Sequence, residues 1–347
     1  MNLNRSWKGI VFLLILVFVL FVLDLILGSV RIPVDEVIHI LTTGSSDNQA
    51  WQNIILKIRL PRSLTAILAG AALALGGLQM QTLFRNPLAG PSVLGITAGA
   101  SLGVAAVMLA TGSAATAFAI RNLGVGGSWL IVIASSLGAL AVLFIILAIS
   151  HRITDNVVML IVGLMVANMT IAIVSIWQYF SSPEQIQEYL LWTFGSLGGV
   201  TNYQLQVLGL VVVIGALCTL FLSKTLNVLL LGEQYASSMG LNVKRARLAI
   251  ILTTSVLAGA ITGFCGPIGF IGIAVPHLTR SLLNTSDHKI LTPSCLLFGA
   301  ALLLFCDIIS QVPGSSTVLP VNAITAMVGS PIVIWIIVKR RNLKASF

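Results

Sequence analysis

Asp24 and Asp307 are the only acids that the sequence places inside its long apolar runs. A carboxylate at the centre of a membrane helix costs about 2.5–3.5 kcal/mol on insertion scales, so such an acid needs a cation, water or a coupled ion. Both lie near one end of their runs, which lowers that cost. Hydration or an arginine such as Arg62 accounts for them more simply than proton coupling, although an ion-driven secondary transporter would use one of them as its coupling group. Cys218, Cys265, Cys295 and Cys306 form no Cys-x-x-Cys pair, and His39, His151, His277 and His288 are dispersed, so neither a disulfide framework nor a metal site is supported. No Gly-x-x-x-x-Gly-Lys-Ser/Thr phosphate loop occurs, and any ATP work therefore belongs to a partner. No Ser/His pair or His/Asp/Glu cluster converges at one depth, which leaves no basis for a membrane-embedded enzyme.

The elements that must position these residues follow from composition. With 57% hydrophobic and 8% charged residues among 347, and a mean hydropathy of +1.03, the chain is a polytopic membrane protein. A bilayer core of about 30 Å needs about 20 apolar residues per helix and leaves no backbone unpaired, so long apolar runs are helices. Nine are plain, at 9–28, 64–81, 92–112, 128–149, 157–179, 205–222, 248–265, 292–309 and 319–338; a tenth, 268–283, is interrupted by Pro276. The first run is too long for a signal-peptide core and lacks a small-residue cleavage site, so it is a span. Lys and Arg mark the cytoplasmic side. With both termini inside, the number of crossings is even, all ten runs cross, and 14 of the 19 basic residues fall on cytoplasmic segments, leaving Arg31, Lys57, Arg59, Arg62 and Arg121 outside. The basic residues are scattered between apolar runs, so the net charge of +9 is topological and implies no nucleic-acid partner.

Several stretches carry more than a span requires. Val34 to Leu41 is an amphipathic patch that predicts a short interfacial helix, and Lys57, Arg59 and Arg62 place three cations on the cation-poor side. They suit either lipid headgroups or an acidic partner. Small residues at helical spacing (Gly70 with Ala74; Gly95, Gly99, Gly103) put the second and third spans inside the bundle. Between those spans, Pro87 and Pro91 fix a tight turn that holds Asn86 extended. The fifth span carries Met159, Met165, Asn168, Met169 and Gln178, a composition suited to a wall that re-packs around a passing molecule. Pro183 to Gly199 reads as a second interfacial helix, with Trp192 at headgroup level and a glycine stop. Residues 224–247 form the one compact polar segment. Within it, Glu233 begins a two-turn helix, where a carboxylate suits the positive helix end, and Gly240 ends it in the left-handed conformation. The glycine-rich stretch 258–280 echoes the second and third spans and hints at an inverted repeat.

Arg59-Leu-Pro-Arg62, Gly70-Ala-Ala-Leu-Ala74 with Gly76, Phe84-Arg-Asn-Pro-Leu-Ala89, Gly232-Glu with Ala236 and Met239-Gly-Leu-Asn-Val243, and Gly266-Pro-Ile-Gly-Phe-Ile-Gly-Ile-Ala-Val-Pro-His277 occur in one order along the chain. Together they resemble the FecCD family, permease subunits of ABC importers for iron siderophores, haem and cobalamin. The resemblance covers essentially the whole chain and implies an all-α subunit of ten transmembrane helices with the type II importer permease fold. It further implies a homodimer in the bacterial inner membrane, two copies of a cytoplasmic ATPase that hold the ATP and Mg, and one extracytoplasmic binding protein; this chain needs no cofactor of its own. Carried over by position, Asn86 and Leu88 are the inner gate, with Asp155 or Asn156 as a second constriction. Glu233, Ala236, Ser237, Met239, Gly240, Leu241 and Asn242 form the coupling segment that meets the ATPase. Arg59 and Arg62, with Lys57, dock the binding protein, and the fifth and tenth spans line the path. One departure concerns docking: after the ninth span, where the family often has a further Arg, this chain reads Asp307-Ile-Ile-Ser-Gln311, and Gln311 brings no charge.

Overall fold

The computed structural model describes residues 3–109, 125–150, 152–153, 155–312 and 317–340. Arg121, His151, Arg341 and Lys344 lie outside the described residues, as does the side chain of Asn156. Fourteen α-helices are present among the described residues, and ten of them overlap the ten apolar runs, residues 110–112 of the third run lying outside the described residues: α1 (Leu3–Ile26), α3 (Gln49–Leu83), α4 (Ile96–Met108), α5 (Val125–Ser150), α6 (Asn156–Phe180), α8 (Asn202–Phe221), α11 (Val243–Cys265), α12 (Ile271–Leu283), α13 (His288–Ser310) and α14 (Val321–Arg340). Four short helices connect them: α2 (Val34–Thr43), α7 (Pro183–Thr193), α9 (Ser223–Leu229) and α10 (Glu233–Ser238).

The bundle is built around α3: 83% of its most apolar 18-residue stretch is buried, against 17% of the corresponding stretch in α1 and 22% in α6. Its small residues are the reason. A Cβ on Gly70 would lie 2.1 Å from the Gly299 carbonyl oxygen of α13, and one on Gly77 would lie 1.8 Å from that of Gly272 in α12. Helix axes this close gain van der Waals contact that lipid cannot supply. The Gly99 and Gly103 pattern does the same work for α4, whose glycines meet the Gly138 and Ala134 carbonyls of α5.

Three expectations change. Helix α3 starts at Gln49, well before the apolar run, because Asn48 Oδ1 accepts hydrogen bonds from the Ala50 and Trp51 amides at 3.0 and 3.3 Å. Residues Ile54–Arg59 are a π-helical stretch within α3, so Lys57 and Arg59 stand on a helix rather than on a loop. Pro276 does not interrupt its span, since α12 runs through it from Ile271 to Leu283. The halves echo each other in form: a long helix and a break lead into a thirteen-residue helix at α3–α4 and again at α11–α12. The interfacial patch is helix α2, stopped by Gly44 at φ +72° with Val37 and Ile40 buried. Helix α7 opens with a Ser182–Gln185 capping box and is followed by Gly195 at φ +73°.

Candidate functional site

At one end of the bundle the α3 helix stops in a Schellman turn: the Asn86 amide donates to the Gln81 carbonyl at 3.1 Å and the Arg85 amide to that of Thr82 at 3.3 Å. The left-handed residue of this turn is Arg85, at φ +47°, so the bend sits one residue before the predicted Asn86 and not at a proline. Asn86 Oδ1 then accepts from the Leu88 amide at 2.9 Å, which closes an Asx turn and leaves Leu88 39% exposed at the tip. Asp155 caps α6, its carboxylate accepting from the Val157 and Val158 amides at 2.7 and 3.0 Å.

The polar segment folds against this turn. Helix α10 lies between Gly232 at φ +102° and Gly240 at φ +84°, and the Leu241 amide closes it on the Ala236 carbonyl at 3.0 Å. Ala236 is fully buried in one cluster with Leu83, Phe84 and Ala89 of the turn, and Leu241 packs on its edge. Arg85 completes the contact, because a Cβ on Gly232 would stand 3.4 Å from its Nη1. Glu233 Oε1 pairs with Arg247 Nη2 at 2.8 Å, and Arg247 Nη1 donates to the Ile153 carbonyl at 3.0 Å, so the segment is tied to α11 and to the start of α6. Asn242 Oδ1 caps α11 through the Arg245 amide at 3.1 Å. Ser237 and Met239 face outward, and so does Tyr235 at 70% exposed, a residue that sequence reasoning missed. A large aromatic on a two-turn polar helix was the available signal.

A second polar network braces the same end. His288 is fully buried, its Nδ1 and backbone amide both 2.8 Å from Asn227 Oδ1 and its Nε2 2.8 Å from Thr82 Oγ1. Asn227 Nδ2 donates to Asp287 at 2.7 Å, and Arg280 Nη1 donates to Gln81 at 2.7 Å. The residues immediately before the Asn86 turn are thereby pinned to α9, α12 and α13.

At the opposite end the arginines are engaged internally. Arg59 is 5% exposed and donates to the Leu25 and Ile26 carbonyls at 2.8 and 2.9 Å and to that of Val30, capping α1. Arg62 forms a two-pronged pair with Asp307, Nη2 to Oδ1 at 2.7 Å and Nε to Oδ2 at 2.9 Å. Gln311 is 8% exposed and donates to Asp24 at 2.9 Å and Asp307 at 3.1 Å, while Ser63 also donates to Asp24. Both intramembrane acids are thus satisfied in one place. Of the residues read as docking groups, only Lys57 is exposed. The geometry of Arg59, Arg62 and Gln311 gives them structural partners inside the subunit.

Along α6 the predicted lining residues divide. Met165, Asn168 and Met169 lie on an exposed face. Met159 does not: it is fully buried in the cluster that holds Met80 and Leu94, and it is core rather than lining. Gln178 is half-buried at a cavity of about 400 Å³ between α4, α6 and α7. Burial holds the Tyr189 phenol of α7 above its ordinary value, and Ser101 hydrogen-bonds to it.

A model of the FecCD transport family matches residues 14–339. The vitamin B12 import system permease protein BtuC of Klebsiella pneumoniae is 34% identical over 341 residues, covering 98% of this chain and 96% of its own length. The hemin transport system permease protein HmuU of Yersinia pestis is 34% identical over 335 residues, covering 96% of each. A solved ABC transporter of the metal-chelate type, in an inward-facing conformation, superposes with a TM-score of 0.82 at 26% identity over 96% of this chain and 99% of that one. The buried small-residue helix, the capped turn at Asn86 and the polar segment packed on it thus belong to a multi-pass permease that leaves ATP hydrolysis to a partner protein, and the chain is a member of the FecCD transport family.

Proposed function

We propose that this permease moves a metal chelate, iron(III)-siderophore in the first instance, across the bacterial inner membrane by ATP-driven alternating access at the axis of a homodimer. Both termini and the Asn86 end face the cytoplasm in this reading, and two ATPase subunits and one extracytoplasmic binding protein complete the complex. The observation that carries it is the shared core of α10 and the Asn86 turn: Ala236 is buried with Phe84, and Arg85 reaches Gly232. A force applied to the exposed face of α10 is transmitted to Leu88 through close-packed atoms, and ATP biases the path only through its differential stabilisation of one arrangement. Gly240 and Asn242 shape this segment, while Tyr235, Ser237 and Met239 offer the contact surface. The names of the relatives, vitamin B12 and hemin permeases, supply the second reading, a cobalamin or haem cargo. A secondary transporter coupled through Asp24 or Asp307 is disfavoured by the arginine and amide that already satisfy those carboxylates.

The test is reconstitution with the ATPase and binding protein, followed by Ala236→Trp and Glu233→Ala. Chelate uptake that requires ATP and falls with both substitutions is the expected result. Uptake that survives without ATP and collapses with an ion gradient refutes the proposal.

A further inference from the structure

Three cavities open between the described helices; one, between α1, α12 and α13, is lined by apolar residues such as Phe12 and Phe298, and the other two differ in chemistry. One of about 390 Å³, between α5, α8 and α11, is walled almost entirely by apolar side chains such as Leu137, Leu140 and Val207. The other, of about 400 Å³, is lined by Ser92, Thr97, Ser101, Ser175, Gln178 and Tyr189 among a few aliphatic residues. It opens beside Ile171 and Ser175, on the same exposed face of α6 that carries Asn168 and Met169.

Ser175 bonds back to the Ile171 carbonyl and Ser101 to Tyr189, but no described residue offers a hydrogen bond to the side chains of Ser92, Thr97 or Gln178. Hydroxyl and amide groups left unpaired against hydrocarbon are costly, so this wall faces water or a polar ligand. Each of the three groups both donates and accepts, which matches a partner presenting N–H or O–H beside C=O. Among the described residues the lining holds no Asp, Glu, Lys, Arg or His. A carboxylate or catecholate lodged there would lack a counter-charge in a low-dielectric site. The volume lies at the lower end of small-molecule pockets of about 300–1,000 Å³, enough for an arm of a chelate but not for the whole.

We infer that this cavity is a cargo subsite that takes a neutral, hydrogen-bonding arm of the passing chelate, of carboxamide or hydroxamate type, and rejects anionic arms. The inference rests on the import reading above and narrows its substrate class.

The experiment uses the complete complex of permease, ATPase and binding protein in proteoliposomes, with four probes: cyanocobalamin, a ferric trihydroxamate, a ferric tris-catecholate and hemin. The expected result is ATP-dependent uptake of one of the two neutral probes, reduced about tenfold or more by Thr97→Val with Gln178→Leu at an unchanged melting temperature. Gln178→Glu, which keeps the shape and adds a charge, is the second variant and should depress the same uptake. Uptake in a folded double variant at the wild-type rate overturns the subsite while leaving the import reading intact. Wild-type uptake of tris-catecholate or hemin in preference to both neutral probes also overturns it. Absence of ATP-dependent uptake for all four probes refutes the import reading, and the subsite with it.

Discussion

Arg62 illustrates how the meaning of a membrane-facing cation depends on what lies opposite. Its pair with Asp307 is nearly sealed, with side chains 12% and 0% exposed, so removing the guanidinium strands a buried carboxylate. Breaking such a pair from one side typically costs about 3–5 kcal/mol. Arg62→Ala should therefore lower the melting temperature of the permease alone, in detergent and without any binding protein, and adding Asp307→Asn should recover part of the loss. An unchanged melting temperature would return Arg62 to the role of a surface docking group. Asp287 gives a pH dependence at the same scale. Partial burial raises its pKa, but the Lys289 amide and Asn227 outweigh this and hold the carboxyl below its ordinary value of 3.8. A carboxyl depressed on folding stabilises fully above its unfolded value, and that stabilisation is lost as pH falls through the folded value. Acid titration of stability should accordingly show a loss below about pH 4 that Asp287→Asn reduces.

Among the elements, α3 is held by backbone approach rather than by large side chains. At Gly77 a methyl group would meet the Gly272 carbonyl oxygen at 1.8 Å, with backbone on both sides and nothing able to yield. At Gly259 the nearest atom is the Ala139 Cβ at an ordinary 3.4 Å. Gly77→Ala should thus destabilise the bundle severely, whereas Gly259→Ala should stay within about 0.5 kcal/mol. Comparative melting of the two variants checks this, and equal effects would mean that α3 and α12 are not packed as described. The buried His288 belongs to this scale too, because it holds α13 to α3 and α9. His288→Leu leaves Asn227 and Thr82 short of partners, and it should lower stability by about 1–3 kcal/mol.

For the whole molecule the distinguishing surface is the exposed face of α6, where Asn168 stands between Met165 and Met169 on a span with few buried residues. Cysteines placed there in a background lacking the four native cysteines should separate wall from core. Asn168→Cys and Met169→Cys should react with a membrane-impermeant thiol reagent in the assembled complex, at a rate that changes when ATP is added. Met159→Cys should stay unreactive throughout. Labelling of Met159→Cys, or inert cysteines at both other positions, would show that this face does not line the path.

The sequence by itself determined the ten spans, the interior place of α3 and α4, the helix within the polar segment with its left-handed Gly240, and the family. These are properties of local composition: apolar length sets a span, small residues at helical spacing permit close approach, and a glycine supplies φ > 0 wherever it stands. Only the tertiary structure decided which partners the polar residues take. Asp307 and Arg62 are separated by 245 positions and Gln311 and Asp24 by 287, so no window of sequence could join them. The same holds for Met159 against Met169, which share a span and a chemistry but differ in the face they occupy once α6 packs on α4. Helical phase relative to neighbours is a consequence of packing, and this assigned Arg59 to the interior, Arg62 to its pair with Asp307, Gln178 to a cavity and Ala236 to the core beneath the Asn86 turn.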